Sequence, residues 1–217
     1  MNIAIDGPAG AGKSTIAKAV AKRLGYIYVD TGAMYRGIGL YALEHGADPK
    51  SAKEVGDILD DIAVSIKYKD GEQRLLLNGE DVSDRIRTPE VSAAASAVSA
   101  LPAVREKLLD LQRELARNND AVMDGRDIGS FVLPNADVKI FLTASADVRA
   151  RRRYDELVQK GIKAEFSEVK ADMEQRDKND STRKASPLVM AEDSILVDTT
   201  DMDIERTIEK IIELCDI

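Results

Sequence analysis

The sequence predicts an α/β fold in which a parallel sheet is flanked by helices and carries a small antiparallel insertion. Three observations predict it. Short apolar runs alternate with segments whose apolar residues recur at helical spacing, the pattern of βα units. A glycine-rich run, Gly7-Pro8-Ala9-Gly10-Ala11-Gly12-Lys13-Ser14, lies between the first apolar run and the first helical segment. Between about residues 62 and 86 the pattern changes to short strand-like runs broken by Asp70-Gly71 and Asn78-Gly79, both hairpin signals. The 217 residues suffice for one such unit with insertions.

Ile3-Ala4-Ile5 is the first strand. Ile16, Val20 and Leu24 then fall at i, i+4 and i+8 and predict a helix on the sheet, closed by Gly25. Tyr26-Ile27-Tyr28-Val29 is the second strand. A loop at its C-terminal end is expected to deliver Asp30-Thr31-Gly32-Ala33-Met34-Tyr35-Arg36, where open α/β sheets bind ligands. Met34, Ile38, Tyr41 and Ala42 mark the buried face of a second helix ended by Gly46, and a short helix is expected over about 52–59. Ile62 to Tyr68 and Arg74 to Leu77 supply the strands of the insertion.

From Thr88-Pro89 the helical period returns, with Val91, Ala94, Ala95 and Val98 in one stripe and Ser92, Ser96 and Ser99 in another. Pro102 suits the first turn of an amphipathic helix carrying Val104, Leu108, Leu111 and Leu115. Ala121-Val122-Met123 is a buried strand running into Asp124-Gly125-Arg126-Asp127, and Val138-Lys139-Ile140-Phe141-Leu142 is another. Residues 149–184 are the most charged stretch. Its middle reads as helix, while Asp177 to Lys184 contain no apolar residue and are expected to bury little and to move. Ile195-Leu196-Val197 is the last strand, and Ile204, Ile208, Ile211 and Ile212 return a terminal helix to the sheet.

The glycine-rich run fills the pattern G-x-x-x-x-G-K-[ST], with the strand before and helix after that the motif requires. It predicts a nucleoside triphosphate held by Gly7, Pro8, Ala9, Gly10, Ala11, Gly12, Lys13, Ser14 and Thr15. Glycines at 7, 10 and 12 let successive N–H groups line one concavity, and the helix adds its positive end. Lys13 reaches the β- and γ-phosphates and the Ser14 hydroxyl ligates Mg²⁺. A glycine-rich turn with a surface lysine is the plainer alternative; the full match and its context weigh against it.

Composition excludes other classes. With 44% hydrophobic and 32% charged residues, neither disorder nor a membrane protein is expected, and no apolar run approaches spanning length. A net charge of −8 argues against nucleic acid as a partner. Cys215 and His45 are the single cysteine and single histidine, which leaves disulfides, thiolate metal sites and histidine acid–base chemistry without material. Met1-Asn2-Ile3 enters a strand without a cleavable leader, so a cytoplasmic protein is expected. Nothing demands an oligomer, so a monomer is expected.

The loop alone fits ATPases, GTPases and small-molecule kinases. No N-K-x-D pattern for guanine is present. Arg36 after the second strand, Arg126 after the third, and the arginines of 149–184 add three sources of positive charge, more than hydrolysis of one nucleotide needs and suited to holding two phosphorylated ligands. This constellation resembles the nucleoside monophosphate kinases, and among them closely the bacterial cytidylate kinases. The shared features are Ile5-Asp6-Gly7-Pro8, Asp30 to Arg36, the hairpin insertion, Ile86-Arg87-Thr88-Pro89-Glu90-Val91, Asp124 to Asp127, and Arg176-Asp177 with Asp180 and Arg183.

The resemblance implies a P-loop kinase fold with a helical lid and transfer of the γ-phosphoryl of ATP to CMP or dCMP with Mg²⁺, in pyrimidine nucleotide metabolism. It implies a single unit with a core over 1–30, 88–148 and 185–217, an acceptor-binding region over 31–87, and a lid over about 149–184. Carried over by residue, it gives the acceptor phosphate to Arg36, Arg126 and Arg183, the cytosine to Ser96, Arg105 and Asp127, and the sugar side to Asp180 with Arg176 and Tyr35. Thr31 keeps the hydroxyl that some members supply from serine. Base chemistry agrees: Asp127 can accept from the exocyclic amine and Arg105 can donate to the ring acceptors.

The catalytic set is then Lys13, Arg126, Arg153 and Arg176, with Arg149 a further lid candidate that shares a helix face with Arg153. Arg151 and Arg152 read as a solvated charge run. Asp124 either caps a turn or organises Mg²⁺ through water. Ser96 lies among small residues that equally well permit close helix packing, and Asp127 with Arg105 also suits a structural ion pair. A kinase of another small acceptor, and a nucleotide-binding regulator without turnover, are the competing functions.

Overall fold

The structure, a computed structural model, describes residues 1–215; the last two residues of the expected core segment 185–217 lie outside the described residues. Its elements in order are β1 (Asn2–Asp6), α1 (Lys13–Leu24), β2 (Ile27–Asp30), α2 (Thr31–Glu44), α3 (Ala52–Leu59), β3 (Val64–Lys69), β4 (Glu72–Leu77), β5 (Glu80–Asp81), α4 (Pro89–Val98), α5 (Pro102–Asn118), β6 (Ala121–Asp124), β7 (Val138–Thr143), α6 (Ala146–Gln159), α7 (Phe166–Thr182), β8 (Ile195–Asp198) and α8 (Ile204–Leu214). A five-stranded sheet has the order β2-β6-β1-β7-β8, and a second sheet the order β3-β4-β5. Parallel pairing sets Ile5 against Ile140 and Ile140 against Ile195. Among the described residues no helix is long and apolar enough to cross a membrane.

The chain forms two compact units, residues 1–26 with 122–217, and residues 27–121. In the first, Ile3, Ala4 and Ile5 are fully buried, as befits a central strand of a parallel sheet covered on both faces. α1 runs alongside α8, whose Thr207, Ile208 and Ile211 are buried while Ile204 stands exposed, so the predicted apolar stripe of the last helix begins one turn late. Between β6 and β7 lies an element absent from the sequence reading, a single π-helical turn over Ile128–Val132.

The charged segment is helical in its middle as expected and differs from expectation in what it buries. It forms two helices, α6 and α7, around a small core of Ala150, Leu157, Val169 and Met173 that takes in Ala9 of the glycine-rich loop, with Tyr154 and Phe166 packed against it edge to face. Helix α7 continues to Thr182, and Asp180, in the stretch with no apolar residue, is buried. Ion pairing supplies the burial that apolar side chains do not. Of the run Arg151–Arg152, Arg151 is exposed as expected, with its guanidinium over the Phe166 ring, whereas Arg152 is half-buried and donates to the hydroxyl and carbonyl of Thr199.

In the second unit no loop follows β2. Asp30 is its last residue and at once the N-cap of α2, its carboxylate accepting from Ala33 N at 2.9 Å, so Thr31 to Arg36 are helical. Helix α2 packs closely on α4: a Cβ at Gly39 would lie 2.9 Å from Ala95 N. The Ala/Ser composition of α4 is thereby explained as a close helix contact. The insertion turns at Asp70-Gly71 and at Asn78-Gly79, all four residues with positive φ as the mirror-image turns of tight hairpins demand, and a short third strand, β5, completes its sheet.

Candidate active site

The glycine-rich loop joins β1 to α1. Gly7 has φ 149°, and a Cβ there would stand 1.9 Å from the carbonyl oxygen of Leu142, so the backbone path is open only to glycine. Gly12 enters α1 at φ 86°. Lys13 is buried and its ammonium donates to Pro8 O at 2.7 Å. Burial, reinforced by the nearby charge of Arg126, holds its pKa well below the ordinary lysine value, against the pull of Asp124. A group so desolvated gains most from an anion placed against it, which is the task the motif gives it.

Ser14 follows, its hydroxyl donating to Asp124 Oδ2 at 2.8 Å. Asp124 ends β6 and is buried. Hydroxyl and carboxylate oxygen side by side form a hard donor pair suited to Mg²⁺, which keeps most of its waters and takes few protein ligands.

The turn after β6 carries the next groups. Arg126 Nε donates to Asp180 Oδ2 at 2.9 Å, and Arg183 lies 3.4 Å from Asp127 Oδ1 and 3.9 Å from Asp180 Oδ1. Two arginines and two buried aspartates from the 124–127 turn and the end of α7 thus form one network. The charge of Arg176, from the same helix, also bears on Lys13. Thr15 is exposed on the first turn of α1.

Arg149 and Arg153 share a helix face but part company. Arg149 is buried, donates to Ala9 O and Ala144 O at 2.9 Å each, and pairs with Asp177, whose other oxygen accepts from Ala9 N at 3.0 Å. The N–H and the C=O of Ala9 are therefore held by α7 and α6 respectively. Arg153 instead pairs with Glu156 at 2.8 Å on its own helix.

In the second unit, Arg36 donates to Asp30 Oδ2 at 2.7 Å, and its Nε is buried with no hydrogen-bond partner among the described residues. Thr31 is buried in the first turn of α2. Arg105, buried on α5, donates to Ser99 O at 3.1 Å and lies 5.5 Å over the ring of Tyr35. Ser96 is half-buried on α4 and its carbonyl accepts from Ser99 Oγ. Asp127 pairs with Arg183 in this structure.

Sequence reasoning passed over Asp6. It closes β1, and its two carboxylate oxygens accept from the N–H groups of Ile128 at 2.8 Å and Gly129 at 2.7 Å. Asp6 thereby ties the π-helical turn, and the Arg126–Asp127 pair just before it, to the strand that leads into the loop. Burial pushes its pKa up to about 6, although the two N–H donors and Lys13 pull the other way. The available signal was an acidic residue ending the apolar run Ile3-Ala4-Ile5.

The family model described as cytidylate kinase matches residues 3–216. The cytidylate kinase of Caldicellulosiruptor bescii is 51% identical over 214 residues, covering 99% of this chain and 95% of that protein. That of Limosilactobacillus reuteri is 52% identical over 212 residues, with 97% and 93% covered. Among solved structures, an uncharacterized protein from Eubacterium ventriosum is similar with a TM-score of 0.57 at 13% identity, over 100% of this chain and 98% of that one, a likeness of fold alone.

Proposed function

Because the chain belongs to the cytidylate kinase family, we propose a division of labour among its residues in transferring the γ-phosphoryl of ATP to CMP, with dCMP as a second acceptor. The protein is an ATP-dependent nucleotide kinase. One observation carries the assignment: the turn Asp124–Asp127 joins both halves of the chemistry, Asp124 reaching the loop at Ser14 while Arg126 and Asp127 enter the network with Asp180 and Arg183.

Gly7 to Thr15 hold the triphosphate, with backbone N–H groups and the start of α1 meeting its charge. Lys13 leaves Pro8 O for the β- and γ-phosphate oxygens. Ser14 and Asp124 would hold Mg²⁺, which when bound neutralises charge on the β- and γ-phosphates. Arg176 stands close enough to Lys13 to share in that neutralisation, and Arg153 joins it by exchanging Glu156 for phosphate.

On the acceptor side, Arg126, Arg183 and Arg36 bind the phosphate of CMP. Each is held by a carboxylate, Asp180, Asp127 and Asp30 respectively, which fixes the guanidinium. Arg105, Asp127 and Ser96 read the base; Asp180, Tyr35 and Thr31 serve the sugar and its surroundings. No general base is required. The acceptor phosphate has a second pKa near about 6 and is largely dianionic at neutral pH, so the attacking oxygen carries no proton to remove. Rate comes from alignment and charge neutralisation.

The test is ADP release over an acceptor panel of CMP, dCMP, UMP, AMP and small alcohols. Turnover is expected with CMP and dCMP; its absence with both overturns the reading. Asp127→Ala should narrow the preference for CMP over UMP by about tenfold, since an unpaired buried polar group is what rejects the wrong base. An unchanged ratio removes Asp127 from base recognition.

A further inference from the structure

The strand β2 is the last in the order of the five-stranded sheet, so one row of its backbone groups faces away from the sheet. Those groups are met by side chains of the antiparallel insertion. Asp30 N donates to Gln73 Oε1 at 2.8 Å, and Gln73 Nε2 donates back to Asp30 O at 3.2 Å. Two residues earlier, on the same edge by the alternation of a strand, Tyr28 O accepts from the hydroxyl of Tyr68 at 3.0 Å. A side-chain amide here does what a neighbouring strand would do, with both donor and acceptor satisfied at one residue.

The residue so gripped is the one whose carboxylate does two things: Oδ1 accepts from Ala33 N and starts α2, and Oδ2 accepts from Arg36 at 2.7 Å. Gln73 is in turn fixed in β4 by pairing with Tyr68 of β3, and the insertion is braced by Arg74, which forks between Asp81 and Asp84 at 2.7 and 2.8 Å. We propose that Gln73, assisted by Tyr68, is a positioning residue for the acceptor phosphate: the insertion holds the Asp30 backbone, the Asp30 carboxylate holds Arg36, and Arg36 meets the ligand. The insertion thus has a function beyond covering a sheet edge.

The inference rests on the reading of Arg36 as an acceptor-phosphate ligand, and the test separates the two. In steady-state assays with CMP varied, Arg36→Ala, Gln73→Met and the double variant are compared with the parent, with ATP affinity and melting temperature measured on each. Methionine keeps the reach and volume of glutamine without its amide. Gln73→Met is expected to raise KM for CMP about tenfold with kcat changed less than about threefold, and to leave ATP affinity as it was. A double variant no worse than Arg36→Ala alone is expected, because both act through one guanidinium. An unchanged KM in Gln73→Met, or full additivity with Arg36→Ala, overturns the relay. An Arg36→Ala variant with unaltered KM overturns the reading of Arg36 itself. Should Gln73→Met not fold, Tyr68→Phe removes only the outer bond, and a KM rise of about twofold that vanishes in the Arg36→Ala background is expected from the relay; a rise that persists there refutes it.

Discussion

Asp6→Asn probes a buried carboxylate that no part of the phosphoryl-transfer chemistry consumes. The native group takes up its proton near pH 6, against an ordinary value of 3.8, because burial penalises the charge more than the Ile128 and Gly129 N–H groups favour it. With the folded-state pKa raised, the contribution to stability is fully present below the unfolded value and is lost as pH rises through about 6. Between about pH 7.5 and about pH 5 the parent should therefore gain about 1.4 kcal/mol that an asparagine at this position cannot gain. In a chain of this size that is about 4 °C in melting temperature. The introduced asparagine retains one acceptor, sets its own amide against the second backbone donor, and so starts with a deficit of about 1–3 kcal/mol from that mismatch, offset at neutral pH by the removed burial of charge. Calorimetric melting of both proteins across this pH range gives the difference directly, since every other titrating group, Asp127 and Lys13 included, is common to the two. A stability of the parent relative to the variant that does not change with pH, or that falls toward acid, refutes the assignment of a raised pKa to Asp6.

Two further perturbations address the loop and the turn. Arg126→Ala should lower kcat/KM for CMP by at least about a hundredfold while ATP affinity stays within about twofold, because the guanidinium is held on Asp180 and its nearby charge only lowers the pKa of Lys13; turnover like that of the parent removes Arg126 from the site. Gly7→Ala places a Cβ 1.9 Å from Leu142 O, between two segments that cannot both yield, and loss of ATP binding together with a fall in melting temperature is expected. Parental ATP affinity and melting temperature in that variant would show the loop to be more pliant than its contacts imply.

What the sequence made legible is what repeats or matches a motif. The loop from Gly7 to Ser14, the alternation of strand and helix, the hairpin turns at Asp70-Gly71 and Asn78-Gly79, and the candidate arginines all followed from local pattern and from family resemblance. The loop predicted after β2 is instead a helix start, because an aspartate can close a strand and cap a helix with one side chain, and the residue code for the two is the same. The stretch from Asp177 to Lys184 looked too polar to be buried; Asp180 is buried because Arg126 and Arg183 compensate its charge, a long-range pairing that no window of sequence contains.

The contacts that went unread share a physical character. Asp6 accepts from two backbone N–H groups of a distant turn, Gln73 exchanges two bonds with the backbone of one residue, and Asp177 with Arg149 clamps the main chain of Ala9. Each acts on main chain, and a backbone partner has no residue type through which spacing or composition could reveal it. The groups expected to touch nucleotide are cationic, and each acceptor arginine is oriented by a carboxylate: Arg36 by Asp30, Arg126 by Asp180, Arg183 by Asp127. In a protein with a net charge of −8, these arginines are each partnered by acids, Arg126 and Arg183 through the shared Asp180, which offsets their mutual repulsion. Preorganisation of this kind requires the carboxylates themselves to be immobile. Burial contributes for Asp180, Asp127 and Asp30 alike, and at Asp30, on the last strand of the sheet, the bonds from Ala33 N to its carboxylate and from Gln73 to its backbone add to it.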